Sequence, residues 1–230
     1  MRKNGIIIAI DGPAGVGKSS VGRDVASEIG YKFISSGKMY RAVAWLCVKN
    51  KIDLNDEDSV LLVAQKNPIT FLNSGDVEPV LMVGGRRLDS ELYDENIAAA
   101  TSSVSRLKKL RNFLVEEQRR IGSDGGVIME GRDITTNVFP DAELKIYLDA
   151  SPEARAERRV SQLRAKGLEA NYDEILDMIK KRDEQDSRRK FNPLKRSDDS
   201  IYLDSTSISK EEVANKIIEL YEATVKNLKK

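Results

Sequence analysis

Histidine is absent from this chain, and cysteine occurs once. The first absence removes histidine-based triads, imidazole general bases and histidine metal ligands. The second excludes a disulfide within the chain. Cys47, in the apolar run AVAWLCV, is expected to pack in the core of a protein from a reducing compartment. Neither sign of charge is in excess: 38 Lys plus Arg stand against 37 Asp plus Glu, so no global field draws nucleic acid or membrane and any basic function must be local. No apolar run reaches membrane-spanning length. Arg2 and Lys3 lead directly into a glycine-rich segment with no separate signal peptide, so a cytoplasmic location is expected. The chemistry open to the chain must use lysine, arginine, carboxylates and magnesium.

That glycine-rich segment is the most informative part of the sequence. GIIIAIDGPAGVGKSS, Gly5 to Ser20, runs an apolar strand into Gly12, Pro13, Ala14, Gly15, Val16, Gly17, Lys18, Ser19 and Ser20, with a helix-compatible stretch behind it. Strand, glycine turn and helix N-terminus in that order are the context in which GxxxxGK(S/T) binds phosphate. The glycines let backbone N–H groups turn toward an anion. Lys18 is placed to reach β and γ phosphates, and the Ser19 hydroxyl to ligate the magnesium ion between them.

Apolar runs bounded by turn signals recur at 6–10, 126–130, 144–149 and 200–204, with helical patterns over roughly 17–29, 103–121 and 210–228. Buried strands alternating with helices predict a doubly wound parallel α/β sheet covered on both faces, with ligands at the carboxyl ends of the strands. Residues 68–93 break that rhythm: PITFL, PVLMV, Gly84-Gly85 and RRLD read as a small antiparallel insert. From Ser151 to about Arg196 the pattern is a pair of charged helices around Gly167. Residues 153–196 hold 13 basic and 9 acidic side chains, a local balance of +4. A single domain is expected, with its core in 1–67, 94–150 and 197–230.

A phosphate loop alone does not separate a kinase from an ATPase or a GTP switch. NKID, Asn50 to Asp53, imitates a guanine-recognition motif. It lies only 32 residues past Lys18 and follows a helical run in place of a strand, and no DxxG precedes it. Three other clusters favour a kinase. SSGKMYRA (35–42) begins a helix, where Ser36 either caps it or meets a ligand. EGRDITT (130–136) puts Arg132 and Asp133 just past the end of a strand, on the sheet edge that faces the phosphate loop. Arg182, Asp186 and Arg189, spaced by four and three, share one helix face, either as ordinary ion pairs or as groups that meet a phosphate ligand. Phosphoryl transfer unites these clusters, because it needs in-line positioning and surrounding cations, and an acceptor phosphate already ionised at neutral pH needs no strong general base.

With GPAGVGKSS, SSGKMYRA, EGRDITTNVFPDAELKIYLDAS and RDEQDSRR in view, the chain resembles the bacterial cytidylate kinase family over nearly its full length. The resemblance implies a phosphate-loop kinase fold and transfer of the γ-phosphate of ATP to CMP or dCMP with Mg2+. It implies that Ser36, Tyr40 and Arg41 line the acceptor pocket, that Ser102, Arg111 and Asp133 read the cytosine edge, and that Arg132 and Arg189 hold phosphate while Arg182 and Asp186 meet the sugar. An acceptor and a donor fixed together are what telling cytosine from uracil requires. Residues 151–167 resemble the family's mobile lid, with Arg155, Arg158 or Arg159 closing on the triphosphate, and 68–93 its small insert. A monomer acting on small molecules, without nucleic acid or membrane, is implied.

Thr135 and Asn137 depart from the family's GRDIGTVVFP, replacing a glycine and a valine, and Lys38 stands where a small residue is usual. None of these removes a group assigned to chemistry. The rival readings are another acceptor such as UMP, dTMP or shikimate, a nucleotide switch, and a nucleic-acid-binding role resting on the +4 segment alone.

Overall fold

The computed structural model describes residues 2–72, 75–165 and 167–230; Asn73 and Ser74 of the expected insert and Lys166 of the expected lid lie outside them. In chain order the elements are β1 (Ile7–Asp11), α1 (Lys18–Ile29), β2 (Lys32–Ser35), α2 (Ser36–Lys49), α3 (Glu57–Lys66), β3 (Ile69–Leu72), β4 (Val80–Val83), β5 (Arg86–Arg87), α4 (Glu95–Val104), α5 (Lys108–Gly122), β6 (Val127–Gly131), β7 (Leu144–Asp149), α6 (Pro152–Arg164), α7 (Tyr172–Ser187), β8 (Ile201–Asp204) and α8 (Lys210–Leu228).

The parallel sheet has strand order β2-β6-β1-β7-β8. β1 is its centre because every residue of IIAID is buried. The alternation hidden in that apolar run feeds two cores. Ile6, Ile8 and Ile10 pack with Val21, Val25, Val213 and Ile217 of α1 and α8, while Ile7 and Ala9 pack with Val115 of α5 and with Ile134, Val138 and Phe139 on the opposite face. The result is the expected three-layered arrangement. The chain crosses β1 between β6 and β7, so the crevice at the carboxyl ends of these strands is where a ligand is received.

β3, β4 and β5 form the expected antiparallel sheet. Gly84 and Gly85, with φ of 55° and 80°, make the two-residue turn between Val83 and Arg86. Ile69, Leu81 and Val83 bury it against Met39, Val43 and Leu46 of α2, in a core that also holds Cys47. Phe33 N–H donates to Val77 O at 2.8 Å, so the β3–β4 connection covers the open edge of β2. Lys38 belongs to this closure, pairing with Glu78 at 2.7 Å beside Arg23 at 3.2 Å.

Two helical boundaries differ from expectation. The pattern over 103–121 is two helices, because Ser105 turns its hydroxyl onto Ser102 O and Leu107 adopts an extended backbone. The helix α3 was not foreseen, although Asp56 caps it by accepting from Ser59 N–H. NKID is the end of α2: Asn50 returns both its backbone N–H and its Nδ2 to Leu46 O, and Lys51 takes φ 55°.

Gly12 is a position where the fold tolerates no side chain. It leaves β1 with φ 150°, and a Cβ there would overlap the Leu148 carbonyl oxygen of the neighbouring β7. Gly12→Ala should therefore lower stability by about 2 kcal/mol or more. A wild-type midpoint in urea denaturation would overturn that account.

Candidate active site

The phosphate loop closes on its own lysine. Gly15 and Gly17 take φ of 80° and 96°, and Lys18, the first residue of α1, donates Nζ to Gly12 O at 2.8 Å and Pro13 O at 2.7 Å. Burial, reinforced by the like charge of Arg132, pushes Lys18 down to about 7 against the pull of Glu130 and Asp11. A polyanion in the loop would restore its charge. Ser20 Oγ donates to Gly17 O at 2.9 Å. Ser19 Oγ donates at 3.1 Å to Glu130 Oε1, which also accepts from Ser35 Oγ at 2.6 Å. Ser19 and Glu130 are hard oxygen donors at the mouth of the loop. Among the described residues there is no larger acidic cage, and this fits magnesium, which takes one or two protein oxygens and completes its shell with waters and phosphates.

Across the sheet edge stand the arginines. Arg132, just past β6, donates Nε to Asp186 Oδ2 at 2.8 Å, and Arg189 donates to Asp186 Oδ1 at 2.6 Å. Burial pushes the Asp186 carboxyl up, but Arg132, Arg189 and Arg182 together hold it below the usual carboxylate range. The ordinary pairing of Arg182 with Asp186 does not form. Arg182 is exposed, has no ion pair among the described residues, and brings its charge close to those of Arg132 and Arg41. Asp186 is thus spent on a residue 54 positions away in sequence, which joins α7 to the end of β6.

Deeper in the cleft Arg111 and Asp133 form a buried ion pair, NH2 to Oδ2 at 2.7 Å, with exposures of 1% and 6%. Arg111 also donates to Ser105 O at 3.1 Å and lies over the Tyr40 ring at 5.4 Å. Burial pushes the Tyr40 phenol up to about 12, so Tyr40 offers a neutral ring and hydroxyl. Ser36 is buried at the start of α2 against Gly131, where a Cβ would come within 2.5 Å of its Oγ. It does not cap α2; that position is Ser35, whose hydroxyl goes to Glu130. Arg41 reaches Leu92 O at 2.8 Å and the Tyr93 ring at 5.6 Å, at the end of the insert. Ser102 is exposed on α4, and its hydroxyl makes no hydrogen bond to the Arg111–Asp133 pair.

The three arginines expected to close on the triphosphate are separated along α6. Arg155 is buried, donates to Ala14 O of the phosphate loop at 3.1 Å, and forks onto Asp183 of α7 at 3.0 and 2.6 Å. Arg158 is held by the Ser205 and Thr206 carbonyls beyond β8, and Arg159 is exposed.

Three carboxylates of the site were not foreseen. Glu130 and Asp11 lie at the carboxyl ends of apolar strands, and an ionisable residue closing such a strand was the signal to follow. Asp183, one turn before Asp186 on α7, is the third. Asp11 is fully buried and accepts from Ile134 N at 2.9 Å and from Thr135 N and Oγ1, both at 2.7 Å. Those donors belong to a π-helical turn, Ile134–Val138, immediately after Asp133. Burial pushes Asp11 up to about 6 despite the three hydrogen bonds, and Asp133 adds to the rise.

A lysine-bearing phosphate loop, hard oxygen ligands and facing arginines at the switch point of a parallel sheet define a phosphate-loop kinase. The chain belongs to the cytidylate kinase family, whose model matches residues 8–223. It is 44% identical over 230 residues to a cytidylate kinase of Caldicellulosiruptor bescii, covering 96% of this chain and 98% of that protein. The cytidylate kinase of Geobacter sp. strain M21 is 43% identical over 226 residues, covering 98% of this chain and 95% of its own. A bifunctional pantoate ligase/cytidylate kinase of Prochlorococcus marinus subsp. pastoris is 41% identical over 220 residues, which are 95% of this chain but 43% of that longer protein.

Thr135→Val removes the hydroxyl donor to Asp11 and keeps the side chain's shape. At pH 8, where Asp11 is ionised, the loss of stability should be about 1.5–3 kcal/mol, the range for a hydrogen bond to a charged group. The raised value of Asp11 means that the native state takes up a proton more readily than the unfolded chain, so below about 6 the carboxyl is neutral in the fold. At pH 5 the loss should accordingly shrink to about 1 kcal/mol. Urea unfolding at both pH values checks this; equal losses would show that the ionised carboxylate is not what Thr135 serves.

Proposed function

We propose that the chain transfers the γ-phosphate of ATP to CMP or dCMP, giving ADP and CDP or dCDP, as a cytoplasmic monomer that needs only small-molecule substrates and Mg2+. One observation carries the reading beyond family membership. Arg132 and Arg189 share Asp186, and Lys18 lies within electrostatic reach of Arg132 as Arg189 does of Arg111 and Asp133, which supports reading these groups as a donor site, a phosphate clamp and a base-reading pair. Among the described residues no helix is long and apolar enough to cross a membrane.

In this reading Gly12 to Ser20 cradle the donor phosphates, and Lys18 exchanges two loop carbonyls for phosphate oxygens. Ser19 and Glu130 would hold magnesium, which when bound neutralises charge on the β and γ phosphates. Arg132 and Arg189 clamp the acceptor phosphate with the guanidinium protons left over from Asp186, and Arg41 joins them from α2. Arg182 and Asp186 meet the sugar. Asp133 accepts from the cytosine amino group while Arg111 donates to a ring acceptor, with Tyr40, Ser36 and Ser102 bounding the pocket. The insert, 68–93, closes over the acceptor. Residues 151–167 close over the triphosphate, bringing Arg155, Arg158 or Arg159 to it and excluding water.

Coupled ADP production with CMP, dCMP, UMP, dTMP, AMP and shikimate supplied separately tests the reading. Turnover confined mainly to CMP and dCMP is expected; strong turnover with shikimate would overturn the pocket, and none with any acceptor would favour a switch. Arg182 separates acceptor binding from stability because it supports no ion pair. Arg182→Ala should leave stability within about 0.5 kcal/mol. It should raise KM for CMP about tenfold, equivalent to ~1.4 kcal/mol, with KM for ATP unchanged. Wild-type CMP kinetics would remove Arg182 from the acceptor site.

A further inference from the structure

The two oxygens of the buried Asp133 carboxylate are not equivalent. Both side-chain donors that reach it take Oδ2: Arg111 NH2 at 2.7 Å and Asn137 Nδ2 at 3.2 Å. Among the described residues nothing donates to Oδ1. Asn137 holds Asp133 twice, since its backbone N–H also donates to Asp133 O at 2.9 Å. Its own place is fixed from outside by Arg119 of α5, which donates to Asn137 O at 2.6 Å and Val138 O at 3.0 Å. Arg111 Nε is a further buried donor without a partner. The pair therefore keeps one free acceptor and one unspent donor. A carboxylate held at one oxygen by a single donor can still turn about its terminal torsion. A second donor on the same oxygen, from the other side of the turn, opposes that rotation.

We infer that Asn137 is a specificity-determining positioning residue, which pins Asp133 Oδ2 so that Oδ1 meets the acceptor base as a fixed hydrogen-bond acceptor. The inference rests on the proposed reading, in which Asp133 faces the base. A fixed acceptor favours an exocyclic amino group and repels a carbonyl at the same place, because the carbonyl leaves two acceptors unpaired against each other. A carboxylate free to turn loses part of the first interaction and escapes part of the second.

The test is kcat/KM for CMP and for UMP, at saturating ATP and magnesium, in the full chain and in Asn137→Val, Asn137→Asp and Asp133→Asn. Asn137→Val should lower the CMP to UMP ratio about tenfold, through a loss with CMP and a smaller loss or a gain with UMP, while KM for ATP stays constant. Asn137→Asp keeps the shape of the side chain but replaces its donor with a like charge, so it should lower the ratio further. If Asp133→Asn collapses the ratio and both Asn137 variants keep it within twofold of wild type, the inference fails and the base-reading role of Asp133 stands. If Asp133→Asn leaves the ratio intact, the base reading itself fails, and the role of Asn137 with it.

Discussion

A carboxylate at the end of the central strand, out of reach of water, constrains everything around it. Asp11 is fully buried, and an unpaired charge there would cost several kcal/mol. Three donors from a single turn meet it. That turn is the one that follows Arg132 and Asp133, and Asp11 is the residue before Gly12, so one buried carboxylate joins the phosphate loop to the Arg111–Asp133 pair. Two halves of a phosphoryl-transfer site must be held at a fixed separation if donor and acceptor are to lie in line. Ile134 and Thr135 are the first two residues after the N-cap Asp133, so their N–H groups have no partner within the turn and are free to meet a carboxylate from another strand.

The helix α7 repeats the device on the other side of the cleft. It buries no residue of its own, so packing alone holds it weakly. Asp183 and Asp186, one turn apart, instead hold Arg155 of α6 and Arg132 of the core. Ion pairs that are partly exposed contribute little to stability and exchange readily, which suits the attachment of α6, in the segment proposed to close with each turnover.

Much of this was legible in the sequence, and the limits of legibility have physical causes. The strands β1, β6 and β7 were readable because parallel strands covered on both faces carry unbroken apolar runs, and the short apolar run of the exposed edge strand β8 was readable from the turn signals around it. Arg132 and Asp133 were placed correctly at a strand end because the edge of a parallel sheet is fixed by its topology. The partners were not readable. Helical spacing sets Asp186 beside both Arg182 and Arg189; the Arg189 pair forms, while tertiary geometry gives the other oxygen to Arg132 in place of Arg182. The helix α3 was missed because it is short and its caps are polar residues that also suit loops. Ser105 interrupted an otherwise continuous helical pattern, its hydroxyl offering Ser102 O a competing hydrogen bond. Asp11 and Glu130 were absorbed into the strands they terminate, although a charge closing a buried strand must find donors, and the donors mark a site.

The same pairs explain how a cleft can hold so many cations without substrate. Lys18 rests on two loop carbonyls, Arg155 on Asp183 and Ala14 O, and Arg132 and Arg189 on Asp186. Each is a weaker acceptor than a phosphate dianion in the same place. A cation buried without any partner would lose hydration and gain nothing, and one left in water would have to be dehydrated at the moment of binding. Provisional partners avoid both costs, so that binding exchanges one acceptor for another and the cations are already ordered. A chain without histidine loses little by this arrangement. In the proposed reading its chemistry depends on cations that never deprotonate, such as arginine, and on one lysine whose charge a bound polyanion would secure.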